Sequence, residues 1–346
     1  MKNHRVVVTE HGGPDVLQLV EEDPPEPGPS EVRIKVLAAG VSAFDLIYRR
    51  WAHLPGSPKL PFTLGEDVVG VVDQNGPRAT VFEAGQMVAG GTWAFGVGGG
   101  YSEFLCLPES ELVTVPAGVD PAEAACLVVN YLTAHEHLHH IAGARSGERL
   151  LVHGAAGGVG TALLQLGKLA GLEMFGTAAR DQHELVSSLG ATPIDYQTED
   201  FVARIQALTD DGVDVVIDPV GGAKQLWRSY RTLRQGGRLV WLGSAAVDQQ
   251  GLRVAPFSMA MALLLRLIPD GKRVPSCPTL DKHAKAHPDW YHTTLTELLD
   301  ALATNQLEPV IAQRIPLAEA ARAHELLERG GHTGKVVLTT DAYDNT

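Results

Sequence analysis

Apolar and polar positions follow two different rhythms along the chain. In the first third, Val32 to Ala38 alternates charged and apolar residues, the two-residue period of a half-buried strand. The run Pro24-Pro25-Glu26-Pro27-Gly28-Pro29 before it is a loop. Val68 to Val72 and Gln86 to Ala89 read as further short strands, so this part is expected to be β-rich with few helices. Near Pro121 the rhythm changes. Ala122 to Ile141 is helical, and strands then alternate with helices: Arg149 to His153, Glu173 to Thr177, Thr192 to Asp195, Val213 to Asp218 and Arg238 to Leu242 as strands, with Val159 to Ala170, Gln182 to Leu189, Asp200 to Thr209 and Ala223 to Leu233 as the helices. That alternation predicts an α/β fold with a parallel, doubly wound sheet. Beyond about Pro256 the pattern loosens, with helices expected at Leu295 to Ala303 and Leu317 to Glu328 and a closing strand at Lys335 to Thr339.

A chain of 346 residues suggests two domains of ordinary size, and 45% hydrophobic with 20% charged residues is a globular composition. The formal charge of −13 argues against nucleic-acid or membrane-surface partners. Cys106, Cys126 and Cys277 are too far apart for a metal knuckle and odd in number for a disulfide framework. The N-terminus lacks the apolar run of a signal peptide. The longest apolar stretch, Met259 to Ile268, is interrupted by Arg266 and too short to span a bilayer. A cytoplasmic protein is expected.

The sharpest chemical signal is His153-Gly154-Ala155-Ala156-Gly157-Gly158-Val159-Gly160. It follows an apolar strand and opens an amphipathic helix, the context in which a glycine pattern is informative. Gly157 and Gly158 remove the Cβ atoms that would keep a pyrophosphate from backbone N–H groups, and the helix N-terminus adds unsatisfied donors and partial positive charge. Gly160 lets the helix pack closely on the strand. In a typical NAD site the second strand ends in an acid that binds the ribose hydroxyls. Here it ends Gly176-Thr177-Ala178-Ala179-Arg180, a cation in place of an acid, which favours the 2′-phosphate of NADPH, the alternative being that Arg180 is a solvated surface charge. Asp181-Gln182-His183-Glu184 fits a helix-capping box, a structural account of the acid that follows.

The run Val152 to Gly160 resembles the cofactor signature of the zinc-independent quinone oxidoreductases, the ζ-crystallin branch of the medium-chain dehydrogenase/reductase superfamily. Gly12 to Leu17, Leu60 to Gly70, Tyr131-Leu132-Thr133-Ala134, Gly236 to Val240 and Thr333 to Leu338 agree with it in order along the chain. The resemblance implies a GroES-like β-rich catalytic domain split between residues 1–125 and 266–346, a Rossmann domain at residues 126–265, and an active site in the cleft between them. It implies hydride transfer from NADPH to a quinone or conjugated enone. The cofactor-binding set is then Asn130, Thr133, Ala155, Ala156, Gly157, Gly158, Val159, Gly160, Thr177, Arg180, Tyr196, Gly243 and Lys335, with Tyr196 beside the adenosine phosphate. Ser42, Asp45 and Tyr48 are expected near the acceptor, although Asp45 can equally brace its loop and Tyr48 can be core. Metal-dependent members hold zinc with Cys and His; Ser42 and Glu66 stand at the corresponding places here, so no metal is expected, and a conjugated acceptor that delocalises its own charge suits such a site. Trp51 and Trp93 either shape an apolar pocket or pack elsewhere. The segment Asp270 to Trp290 is longer than the family's usual connection and is a lid or substrate-selecting loop on this reading. A homodimer is implied, with edge strands around Arg238 to Leu242 and Gly251 to Val254.

Three rivals remain. His135-Glu136-His137-Leu138-His139 formally contains His-Glu-x-x-His, the zinc-protease pattern, but no third ligand follows at the expected distance. A structural protein could keep NADPH affinity with little turnover. An enoyl-thioester reductase would use the same hydride addition on a different acceptor.

Overall fold

The alternation seen at Val32 to Ala38 is the start of the strand that organises the first half of the molecule. In the computed structural model, which describes residues 2–51, 59–92, 98–243, 251 and 253–343, β3 runs Glu31–Val41, with Val32, Ile34 and Val36 buried and Arg33 and Lys35 turned outward. From Val36 onward every residue is buried, because this half of the strand is covered on both faces.

Contacts divide the chain into two compact units, residues 1–132 with 284–346, and residues 133–283. In the first, β1 (Asn3–Val8) and β2 (Leu17–Glu22) form an antiparallel hairpin. A seven-stranded sheet holds β3 with β4 (Asp67–Asn75), β5 (Met87–Gly91), β6 (Phe104–Pro108), β7 (Leu112–Thr114), β13 (Ile311–Pro316) and β14 (Lys335–Thr339). β14 lies antiparallel against β3 with Val337 opposite Gly40, so the chain's last strand completes a sheet begun by its first hundred residues. Val32, Ile34, Leu64, Val68, Leu107 and Leu338 are among the residues of its core.

In the second unit, β8 (Arg149–Val152), β9 (Glu173–Ala178), β10 (Ala191–Asp195), β11 (Val213–Asp218) and β12 (Leu233–Trp241) form a parallel sheet in the order β10-β9-β8-β11-β12. The order reverses at β8, so the crevice at its C-terminal end is the topological switch point where α/β sheets bind ligands. The β11 sequence Val-Asp-Val-Val-Ile-Asp is buried throughout, as a central parallel strand requires. Leu151, Phe175, Ile194, Val216, Leu226 and Leu239 anchor its core.

Several local expectations change. No strand starts at Gly251: a helix begins at Val254 and runs Val254–Arg266, as suits the unbroken run of helix formers from Met259. The capping box at Asp181 does not form. Asp181 lies inside a one-turn 3-10 segment, Arg180–Gln182, and the Gln182 side chain accepts the Ala179 N–H instead. The connection after Asp270 is tied down at its start. The Arg273 N–H donates to the Gly237 carbonyl and the Leu239 N–H to the Arg273 carbonyl, both at 2.9 Å, while Tyr230 donates to Asp270 at 2.6 Å. It continues into helices Leu280–Ala286 and Pro288–Ala303. Trp93 lies outside the described residues, and Trp51 is half-buried at the end of the helix Ala43–Arg50. Among the described residues no helix is long and apolar enough to cross a membrane.

Candidate functional site

The glycine turn sits where β8 delivers it, at the switch point. Gly154 adopts φ +61°, which brings its N–H towards Thr177 and its carbonyl towards the helix that follows. That helix, Gly158–Leu169, is capped by Gly157, which has no side chain to satisfy the first donors. The N–H groups of Gly158, Val159 and Gly160 therefore have no intrahelical acceptor. A Cβ at Gly160 would strike the Gly154 carbonyl oxygen and lie 2.8 Å from Ala155 Cα. The turn thus closes only because glycine stands there. Ala155 and Ala156 are buried, while Gly157, Gly158 and Val159 are half-exposed. The arrangement is a backbone cradle whose free N–H groups have the polarity that suits an anion.

A buried polar chain backs this turn. Ser229 Oγ donates to Asp218 Oδ2 at 2.8 Å and lies 3.0 Å from His153 Nε2. A hydroxyl has one proton, so His153 Nε2 must be the donor in that second contact. The other ring nitrogen then accepts from Thr177 Oγ1, 3.0 Å away, and Thr177 Oγ1 accepts the Gly154 N–H at 3.3 Å. Burial holds the His153 imidazole below its usual range and keeps it neutral. Thr177, 3% exposed, therefore spends its hydroxyl on the turn rather than on the open face.

At the end of the second strand Arg180 is exposed, and among the described residues it makes no ion pair. Tyr196, 57% exposed, follows β10 nearby in sequence to Asp195, whose carboxylate is taken up by the Gln197 N–H and the Thr198 hydroxyl. Gly243 follows β12, and its carbonyl accepts the Trp241 indole N–H at 2.6 Å. The Thr133 carbonyl accepts from His137 Nδ1 at 2.7 Å.

In the other unit, Ser42 caps the helix Ala43–Arg50 in a capping box with Asp45. Asp45 has no exposed surface: its carboxylate accepts from the Ser42 N–H at 2.7 Å, the Gly65 N–H at 3.0 Å and the Tyr101 hydroxyl at 3.2 Å. Behind Tyr101 stand His324 and Arg49, the latter fully buried and paired with Glu328. Asp45 is thus a brace and cannot touch an acceptor. Tyr48 is half-buried against the core, its ring 6.3 Å from that of Phe44. Glu66, which the sequence set at a zinc-ligand place and gave no role in the reaction, is half-buried, and its Oε2 accepts from Ser42 Oγ at 3.3 Å. Burial, then the charges of Asp45 and Asp67, push its carboxyl up to about 8. Lys335 is buried; its ammonium donates to Asp67 at 2.8 Å and to Asn130 at 3.5 Å. Burial opposes that charge, but Asp67 first, with Cys126 and Asp45 behind it, holds Lys335 above its usual range.

The His-Glu-x-x-His run does not build a zinc-protease site. The His135 and His139 rings are 4.7 Å apart, but Glu136 is turned inward with no exposed surface. Its nearest ring nitrogens are those of His283 at 3.4 Å and His137 at 3.7 Å. Among the described residues no group of three or more His, Cys, Asp or Glu side chains could hold a metal ion.

A parallel sheet with a glycine cradle at its switch point, joined to a GroES-type β unit, defines a medium-chain dehydrogenase/reductase. Residues 28–117 match the family described as an alcohol dehydrogenase GroES-like domain, and residues 189–338 one described as a zinc-binding dehydrogenase. The chain is 35% identical to a quinone oxidoreductase of Pseudomonas aeruginosa over 338 residues, covering 96% of this chain and 98% of that one. The solved quinone oxidoreductase of Pseudomonas syringae pv. Tomato DC3000 superposes with a TM-score of 0.85 at 33% identity, covering 97% of this chain and 99% of that one. The Escherichia coli quinone oxidoreductase complexed with NADPH gives a TM-score of 0.82 at 27% identity, with 97% and 99% covered. The chain belongs to the quinone oxidoreductase branch of the medium-chain dehydrogenase/reductase superfamily.

Proposed function

We propose that this protein is a cytoplasmic NADPH-dependent oxidoreductase that reduces a quinone or a conjugated enone without bound zinc. The observation that carries the reading is the uncapped glycine cradle at Gly157 to Gly160, followed at the end of the next strand by the exposed Arg180, which forms no ion pair among the described residues. The backbone donors of Gly158, Val159 and Gly160 suit a pyrophosphate, and Arg180 with Tyr196 suits an adenosine 2′-phosphate. Asn130, Thr133, Gly243 and Lys335 complete the cofactor set on this reading. Bound NADPH supplies the hydride, and the protein contributes position and electrostatics. Ser42 and Tyr48 lie beside the acceptor, and Asp45 holds Ser42 in place from below. Ser42 and Glu66 do not make a zinc site with Cys or His ligands, which favours an acceptor that stabilises its own developing charge.

A homodimer fits the same reading. Val240 and Trp241 continue β12 past the Arg273 bridge at the sheet edge, and Phe257, Leu263 and Leu264 are 67%, 52% and 58% exposed on the helix that follows. Light scattering that returns a single-chain mass would refute it. The function is tested by following NADPH oxidation with quinones, enones and enoyl thioesters. Turnover with none of them would refute the reading, and turnover with thioesters alone would move the protein to enoyl-thioester reduction.

A further inference from the structure

Three carboxylates crowd one corner of the first unit, with unequal partners. Asp67 receives the Lys335 ammonium at 2.8 Å and the Gly40 N–H at 2.5 Å. Asp45 receives two backbone N–H groups and the Tyr101 hydroxyl. Glu66 receives, among the described residues, only the Ser42 hydroxyl at 3.3 Å, a long contact with a neutral donor. One ammonium cannot neutralise three carboxylates in so small a space, and like charges at close range keep one of them protonated. The proton belongs on the carboxyl with no cation and no N–H, which is Glu66. Exposure points to the same residue. Asp45 and Asp67 are 0% and 1% exposed, whereas Glu66 is half-buried and can meet both a small molecule and water.

We infer that Glu66 is the catalytic acid of the reaction, delivering its carboxyl proton to the acceptor held at Ser42. The inference rests on the proposed reduction of a quinone or enone. Such a reduction needs one proton for every hydride. The Glu66 Oε1–H bond breaks, its electron pair stays on the carboxylate, and a C–H or O–H bond forms on the acceptor. Ser42 donates to the other oxygen, Oε2, and so fixes which oxygen carries the proton. The carboxylate left behind faces Asp45 and Asp67, with Lys335 committed to Asp67, so it takes a proton back from water readily. With the carboxyl held up to about 8, the acid is loaded at neutral pH.

Glu66→Gln keeps the shape and the Ser42 contact but has no acidic proton. Infrared difference spectra of the cofactor-free protein should show a carboxylic-acid C=O band at neutral pH that fades as pH rises through about 8 and is absent from the variant. Catalysis by the variant should be slower by about 10²-fold or more in kcat, with NADPH affinity unchanged and the alkaline fall of the wild-type rate gone. An ionised Glu66 at neutral pH, or a variant that keeps the rate and the alkaline limb while the wild type turns over, would overturn the assignment of Glu66 alone. A wild type that oxidises NADPH with no acceptor overturns the reading on which it rests.

Discussion

His153 Nε2 lies 3.0 Å from Ser229 Oγ, directly behind the turn that presents the glycine cradle. With Asp218 taking the Ser229 proton, the chain has one consistent direction, from the Gly154 N–H through Thr177 and His153 to a carboxylate. Thr177, His153, Ser229 and Asp218 are all buried, so none of these side chains can turn to water when a partner is lost. Ser229→Ala should leave the His153 N–H and one Asp218 oxygen unpaired and cost about 1–3 kcal/mol in denaturant unfolding. Nitrogen-15 spectra should show His153 as the neutral Nε2–H tautomer in the wild type. An Nδ1–H tautomer, or a variant of unchanged stability, would break the directed chain.

The buried carboxyl of Glu136 gives a second expectation, about pH. Burial raises it from 4.5 to about 7. A carboxyl raised in the folded state costs nothing below its unfolded value and takes stability away as pH rises through the folded one. Among the described residues its titratable neighbours include His283 at 3.4 Å, His137 at 3.7 Å and the Cys277 thiol; His137 donates to the Thr133 carbonyl and is itself held down to about 4 by burial. Glu136→Gln should therefore gain on the wild type between about pH 5 and about pH 8, by at most roughly 3 kcal/mol. Thermal melts across that window measure it; a difference that stays flat or shrinks with pH would show the carboxyl ionised in the native protein.

Zinc independence is tested by removal. Ser42 caps a helix and contacts Glu66, and the charged groups that act on Glu66 are Asp45, Asp67 and Lys335. Prolonged treatment with a strong chelator should leave NADPH oxidation unchanged, and elemental analysis should find well under one metal per chain. Activity lost on chelation and restored by zinc would contradict this.

The parts of the fold legible in the sequence are those where one physical rule acts alone. Strand and helix periods located β8 to β11, because a buried parallel strand flanked by amphipathic helices has no competing pattern. The glycine turn was equally legible, since its backbone geometry demands those residues in that order. What escaped depends on contacts distant in sequence. Gly251 to Val254 resembles a strand only until the helix formers beyond it are counted. Thr177 looks like a cofactor ligand at its strand end until His153, 24 positions earlier, claims its hydroxyl. Asp45 reads in sequence as either an acceptor contact or a brace, and only the Gly65 N–H and the Tyr101 hydroxyl, both distant in sequence, decide for the brace. Glu66 became conspicuous only when Asp45 and Asp67 could be seen to use up the neighbouring donors.

Cofactor choice turns on Arg180. The 2′-phosphate carries close to two negative charges and needs a cation where the second strand ends. Arg180 stands two residues past β9, is exposed, and among the described residues forms no ion pair that a phosphate would have to displace. Asp195, whose carboxyl feels that guanidinium, is already held below its usual range, first by the Gln197 N–H and then by the Thr198 hydroxyl, so it competes little for the arginine. A partly exposed Arg–phosphate pair is worth about 1.5–3 kcal/mol, roughly ten- to a hundred-fold in affinity. Arg180→Ala should raise the Michaelis constant for NADPH by about that factor and leave NADH nearly untouched. Because the pair is solvent-accessible, added salt should weaken NADPH binding more in the wild type than in the variant. If the wild type prefers NADH, or if Arg180→Ala harms both cofactors equally, Arg180 is a solvated surface charge and phosphate recognition lies elsewhere.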